Sequence, residues 1–276
     1  MNDVDALVLS RLSYAPLDGI VGEDFSGKPV PLDRAEQICV SLVRDKDSAR
    51  SFRLKEDEAL LNALAASPRF ARMELTGYVN RLDSEREEQF SAVTALLPED
   101  QGLFVSYRGT DGTLVGWKED FNMGFASAVP AQMDAVDYLH RAAAAHTGPV
   151  RVGGHSKGGN LAVYASAFCE EAVQRRILSV RNNDGPGFMA DTIQKPGFQR
   201  IIGRVRTILP QSSVVGMLLE HEEDYSIVNS DNAGIFQHDA YSWQVARADF
   251  VPMEERTNSS QFIDMTLKDW MKNMTP

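Results

Sequence analysis

Ser156 sits between two glycines in the pentapeptide Gly154-His155-Ser156-Lys157-Gly158, the spacing G-x-S-x-G. A β-prone run, Val150–Gly153, precedes it, and an apolar, alanine-rich segment follows from Gly159. That strand–turn–helix setting is what a nucleophile elbow requires. A serine on a tight, strained turn has its hydroxyl lifted out of the sheet, and a side chain at either flanking glycine would crowd the crossing strand and helix. The chemistry that fits is attack by the Ser156 hydroxyl on an electrophilic carbonyl. The backbone N–H of Lys157, at the start of the helix, would then face a developing oxyanion. The Lys157 side chain reads as a surface cation. A phosphate loop does not fit, because that motif needs Lys-Ser/Thr after its final glycine and here Gly159-Asn160 follows.

A serine hydroxyl needs a base to take its proton and a third group to orient that base. There are five histidines. His140 and His146 fall in or just after a helix ahead of the elbow, where surface or capping roles account for them. His155 lies inside the elbow and should pack beside the turn. His221 follows a short predicted helix, where it would meet the helix dipole. His238 lies in the loop Asn232–Tyr241 after the last predicted strand. His221-Glu-Glu-Asp-Tyr225 lacks the second histidine of H-E-x-x-H, and no S-x-x-K dyad occurs, so metal-hydrolase and β-lactamase-like chemistries find no motif.

These residues must be positioned by the elements around them. Strands are predicted over Glu74–Leu82, Gln89–Leu97 and Gly102–Arg108, with turn residues at Asp83-Ser84 and Pro98–Gln101 between them, and the short connections suggest an antiparallel meander. Helices are predicted after Asp33, with Ala35, Ile38 and Leu42 on one face, and over Glu56–Ala66. From Pro130 onward helices alternate with strands: helix Ala131–Ala145, strand Val150–Gly153, helix Gly159–Arg176, strands Ile177–Asn182 and Gly203–Leu209, helix Ser212–Glu220 and strand Tyr225–Asn229. Units of this kind imply a mainly parallel sheet with helices on both faces. A last amphipathic helix, Ser260–Met274, carries Ile263, Leu267, Trp270 and Met274 on one stripe.

The elbow resembles that of the α/β-hydrolases, especially the class 3 lipases. A second segment, Phe104-Val-Ser-Tyr-Arg-Gly-Thr-Asp-Gly-Thr-Leu-Val-Gly-Trp-Lys-Glu-Asp120, supports this through Arg108-Gly109-Thr110, Trp117 and Asp120. Over nearly its whole length the chain is similar to a bacterial family of lipase-like domains of unknown function. Val8–Tyr14, Asp184-Gly-Pro-Gly-Phe188, Pro210–Gly216 and Gln237-His-Asp239 carry that likeness. The resemblance implies the chain order Ser…acid…His, hence His238 as base, and an oxyanion hole from the backbone N–H groups of Thr110 and Lys157, with the Thr110 hydroxyl. It also implies an acid three residues before Pro210, but Thr207 stands there. Asp184, where the strand beginning at Ile177 ends, is the substitute, with Asp231 and Asp239 as alternatives. Trp117 and Asp120 would brace the oxyanion loop, and no unmistakable lid is read between Thr110 and Ser127.

The 276 residues are 43% hydrophobic and 24% charged, ordinary globular values. The expectation is one α/β-hydrolase domain over 1–276, with 1–70 as a helical elaboration and 243–276 as a C-terminal helical segment. With 28 basic residues against 39 acidic ones the net charge is −11, which opposes nucleic-acid binding. No apolar run is long enough to span a membrane. Cys39 and Cys169 form no metal-ligand cluster, and the early acids without a basic region suggest a cytoplasmic protein. The function implied is a cofactor-free serine esterase or lipase-like hydrolase acting on a small acyl substrate, thioester and peptide bonds included. The second reading is a catalytically inactive hydrolase fold used for binding or regulation. Acyl-chain preference and oligomeric state are not legible in the sequence.

Overall fold

The computed structural model describes residues 1–44, 54–83, 88–110 and 129–253. Helix α1 (Asp3–Arg11) is capped by Asn2, whose side chain accepts from the Asp5 N–H while the Asp5 carboxylate accepts from the Asn2 N–H, both at 2.8 Å. This helix is not marked by the usual signal, since the cap is Asn-x-x-Asp rather than Ser/Thr-x-x-Glu. Two further helices, α2 (Leu32–Arg44) and α3 (Leu54–Ala66), follow, with the two-residue strand β1 (Val30–Pro31) ahead of α2.

The sheet strands are β2 (Glu74–Asp83), β3 (Glu88–Leu97), β4 (Gly102–Tyr107), β5 (Val150–His155), β6 (Ile177–Asn183), β7 (Val205–Pro210) and β8 (Asp224–Val228). Each lies within two residues of its predicted span. After β8 come β9 (Val245–Ala246), β10 (Asp249–Phe250) and β11 (Pro252–Met253). Among the described residues the main sheet has the order β1-β2-β3-β4-β5-β6-β7-β8-β11. It is antiparallel from β1 to β4 and parallel from β4 to β8, with β11 antiparallel at the far edge. The expected meander therefore feeds a parallel sheet, and the architecture is the α/β-hydrolase fold.

Side-chain alternation splits the core between the two faces. On β4, Leu103, Val105 and Tyr107 pack with α4 (Pro130–Ala145) and α5 (Lys157–Phe168), while Phe104 packs on the opposite face with α1, α2 and α3. Gly153 on β5 permits the close approach of α1: a Cβ there would lie 2.8 Å from the Ser10 Oγ.

Three expectations change. The helix predicted over Gly159–Arg176 breaks at Cys169, whose backbone turns extended. It resumes as α6 (Glu171–Gln174), and the Glu170 N–H at the break donates to His140 Nε2 at 2.9 Å. Predicted helix Ser212–Glu220 is only a 3-10 turn, Val215–Met217, because the segment bends back to pair Glu220 with Phe188. Residues 243–253 are short strands rather than helix, and the helix expected over Ser260–Met274 lies outside the described residues. No described helix is long and apolar enough to cross a membrane.

A buried ion pair ties the N-terminal helices to the rest. Arg11 of α1 donates to Asp57 of α3 at 2.5 Å, with side-chain exposures of 3% and 9%. The Tyr241 hydroxyl, far along the chain, donates to the same carboxylate oxygen at 2.6 Å. Breaking a buried pair from one side leaves an uncompensated charge. Asp57→Ala is therefore expected to cost about 3–5 kcal/mol in stability, read as a lowered midpoint in urea unfolding. An unchanged midpoint would show that the pair contributes nothing.

Candidate active site

Strand β5 ends at His155, and Ser156 follows with φ 59° and ψ −135°. That conformation is costly for a non-glycine residue, of order 1–3 kcal/mol, and persists only where surroundings hold it. Two hydrogen bonds do so: the Ser156 N–H donates to Asn183 O at 2.9 Å, and the Gly159 N–H donates to Ser156 O at 2.8 Å. The flanking glycines are required by close approach. A Cβ on Gly154 would run into the Gly158 carbonyl, and one on Gly158 into the Tyr107 carbonyl.

His238 comes from the segment after β8, in the 3-10 turn Gly234–His238. Buried Gln237 anchors this loop. Its side chain accepts from the Ser212 N–H at 2.7 Å and donates to Asn232 O at 2.8 Å, while its carbonyl accepts from Trp243 Nε1 at 2.8 Å. Asp184 follows β6 directly, fully buried, with φ 54° and its N–H on Ile208 O at 2.9 Å.

These three residues meet in one hydrogen-bonded line. Ser156 Oγ lies 2.9 Å from His238 Nε2, and His238 Nδ1 lies 2.7 Å from Asp184 Oδ2. A carboxylate only accepts, so Nδ1 carries the proton and Nε2 is left to accept from the serine. The other Asp184 oxygen accepts from Ser213 Oγ, and a Cβ on Gly216 would strike that same oxygen. Asp184 is thus held between a donor and a steric wall, a role for Ser213 that sequence reading missed. Its only signal was its place within Pro210–Gly216.

The alternative residues lie elsewhere in hydrogen-bond terms. Asp231 is exposed and accepts from Gln244 Nε2 at 2.5 Å, and Asp239 accepts from the Tyr241 N–H at 3.2 Å. Thr207 donates to Glu223, which also bonds His221 Nδ1 at 2.8 Å. Burial would raise the Glu223 carboxyl, but the His221 bond and charge, with Thr207, hold it below its usual range. The His155 ring packs tilted against His238, centroids 4.8 Å apart, and its Nε2 donates to the His238 carbonyl at 2.8 Å.

Thr110 follows Gly109 just beyond β4, and a Cβ on Gly109 would lie 2.9 Å from the Ser156 Cβ. The segment after β4 that leads to Thr110 therefore abuts the elbow. Lys157 opens α5, whose N-terminus carries partial positive charge. Its side chain corrects the surface expectation: Lys157 is 1% exposed, and its Nζ donates to Gln89 O at 2.8 Å. The residue after the serine points down into the protein between β3 and α5, where a carbonyl receives the ammonium. Trp117, Asp120 and the Thr110–Ser127 stretch apart from Thr110 itself lie outside the described residues. Cys39 and Cys169 are free and buried, and burial raises their thiols to about 11 and about 12. Among the described residues no group of histidine, cysteine and acidic side chains is arranged to hold a metal ion.

A family model described as Mbeg1-like matches residues 64–276. No curated protein matches the chain. Among solved structures, a lipase from Rhizopus microsporus var. chinensis is similar at 12% identity and a TM-score of 0.50, covering 92% of this chain and 81% of that one. A mutant of MDLA from Penicillium cyclopium aligns at 11% identity and a TM-score of 0.46, covering 92% of this chain and 87% of that one.

Proposed function

The chain belongs to the Mbeg1-like family and has the α/β-hydrolase fold, and from that premise we propose that it is a serine hydrolase of the esterase or lipase-like type. The observation that carries the reading is the continuous hydrogen-bonded line from Ser156 Oγ through both His238 nitrogens to Asp184. His238 Nε2 takes the serine proton as Oγ attacks an acyl carbonyl. Backbone N–H groups of Lys157 and Thr110 receive the oxyanion, the alcohol leaves with the proton returned by His238, and water repeats the sequence to release the acid. Asp184 keeps the Nδ1 proton in place and stabilises the imidazolium that forms between the two transfers. Thioester and peptide carbonyls present the same attack geometry, so the acyl ester is the simplest member of the substrate class.

A fluorophosphonate probe tests this directly. The expected result is one phosphonyl adduct in the intact mass of the wild-type protein, displacing the probe's fluoride, and none on Ser156→Ala. A folded wild-type protein that takes up no adduct would overturn the reading in favour of a non-catalytic binding protein.

A further inference from the structure

We infer that Tyr14 is a positioning residue for this site, its hydroxyl joining the strand end that leads to the oxyanion donor at Thr110 to the histidine that backs His238. The inference rests on the hydrolase reading above. Tyr14 lies ahead of the family-matched segment, which begins at residue 64, and no role has yet fallen to it.

Gly109 N–H donates to Tyr14 Oη at 3.0 Å. An N–H can only donate, so the tyrosine oxygen is the acceptor and its own proton is free to go elsewhere. Two acceptors are in reach, the His155 carbonyl at 3.4 Å and His155 Nδ1 at 3.5 Å. His155 Nε2 faces the His238 carbonyl and must carry the proton, which leaves Nδ1 as an acceptor turned toward Tyr14. With the Tyr14 proton directed to Nδ1, donors and acceptors run in one direction from Gly109 through Tyr14 and His155 to His238; directed to the carbonyl, it ties Gly109 to the His155 backbone instead. The geometry is close: a Cβ on Gly109 would lie 2.6 Å from Tyr14 Oη and 2.9 Å from the Ser156 Cβ.

The ring itself is held. The Arg11 guanidinium stacks on Tyr14 at 3.8 Å from the ring centroid, and Arg11 is fixed by Asp57. Asp57 also receives the hydroxyl of Tyr241, three residues beyond His238. The N-terminal helices therefore brace both sides of the nucleophile: the Arg108–Gly109 peptide, one residue before Thr110, through Tyr14, and the His238 loop through Asp57. An oxyanion donor acts only if it is already aimed where charge develops. Without the Tyr14 hydroxyl, the Gly109 N–H loses its acceptor and the peptide leading to the Thr110 N–H is released.

Tyr14→Phe keeps the ring and the Arg11 stack and removes only the hydroxyl. Turnover of a short-chain ester is expected to fall about 10- to 100-fold in kcat, with KM within about twofold of wild type. Binding of a boronic acid, which forms a tetrahedral adduct on the serine, should weaken by the same factor, and exchange of the Gly109 amide proton should quicken. A purely structural role would lower the melting temperature without moving the boronate constant in a still-folded protein. Wild-type kcat and boronate affinity in Tyr14→Phe, beside an active wild-type enzyme, would overturn the inference alone. If the wild type has no Ser156-dependent turnover, the hydrolase reading falls and this inference falls with it.

Discussion

Ser156→Ala is expected to reduce kcat on a short-chain ester by about 10⁶-fold, the scale on which triad hydrolases lose rate when the nucleophile is removed. The substitution deletes one oxygen. The Cβ that the strained elbow must accommodate is already present in serine, so φ 59° becomes no more costly. The bonds that hold the turn, Ser156 N–H to Asn183 O and Gly159 N–H to Ser156 O, are backbone bonds and survive. Folding should be unchanged while the attacking atom is gone. The remaining rate over water would come from the oxyanion donors and substrate positioning. Adding His238→Ala should cost little more, because a base without its nucleophile has no proton to take. Steady-state kinetics on the single and double variants check both points. A Ser156→Ala protein retaining a few per cent of wild-type kcat would place the chemistry on another residue.

Asp184→Asn should lower kcat by about 10⁴-fold while leaving the fold intact. The size follows from which end of the amide would face His238. Ser213 Oγ donates to Asp184 Oδ1, so an asparagine here keeps its oxygen toward Ser213. Its NH₂ group then faces His238 Nδ1, where a donor would meet a donor. The imidazole escapes by moving its proton to Nε2, and in that tautomer it cannot accept from Ser156. Asp231→Asn is the control: Asp231 is exposed and bonded to Gln244, and the change should leave kcat within about twofold. Near-normal kcat in Asp184→Asn, or collapse in Asp231→Asn, would show that the acid had been chosen wrongly. Both are read from the same ester assay with a circular-dichroism check on folding.

What could be read early was local or periodic. The elbow was legible because its demands are met within a few residues: β-prone Val150 to Val152 ahead, glycines where Gly158 O and Tyr107 O leave no room for a Cβ, and an alanine-rich helix behind. The meander was legible because its turns are short, and β4 because its run is apolar enough to be buried on both faces, Leu103, Val105 and Tyr107 on one and Phe104 on the other. Helix α1 was not, since its cap uses an uncommon pair and its residues face two different clusters. The helix expected over Ser212–Glu220 failed because pairing of Glu220 with Phe188 outweighed a weak local preference.

Ser156, Asp184 and His238 could each be nominated from the chain, because strand ends in a parallel sheet present their loops on one side. Their meeting, with Nε2 at 2.9 Å and Nδ1 at 2.7 Å, depends on contacts far apart in sequence: Gln237 against Ser212, and Asp184 against Ile208 and Ser213. Lys157 shows the same division. Its place after the serine follows from the pentapeptide, but whether its amine meets water or the Gln89 carbonyl depends on how β3 packs against the elbow. Sequence by itself determined the class of fold, the serine elbow and the elements that carry Asp184 and His238, since these rest on short-range sterics and on local strand and helix patterns. Only the tertiary structure decided which acid faces His238, where the lysine goes, and that Tyr14 meets Gly109 while Asp57 holds Arg11 and Tyr241, because hydrogen bonds form between atoms a few ångströms apart whatever their separation along the chain.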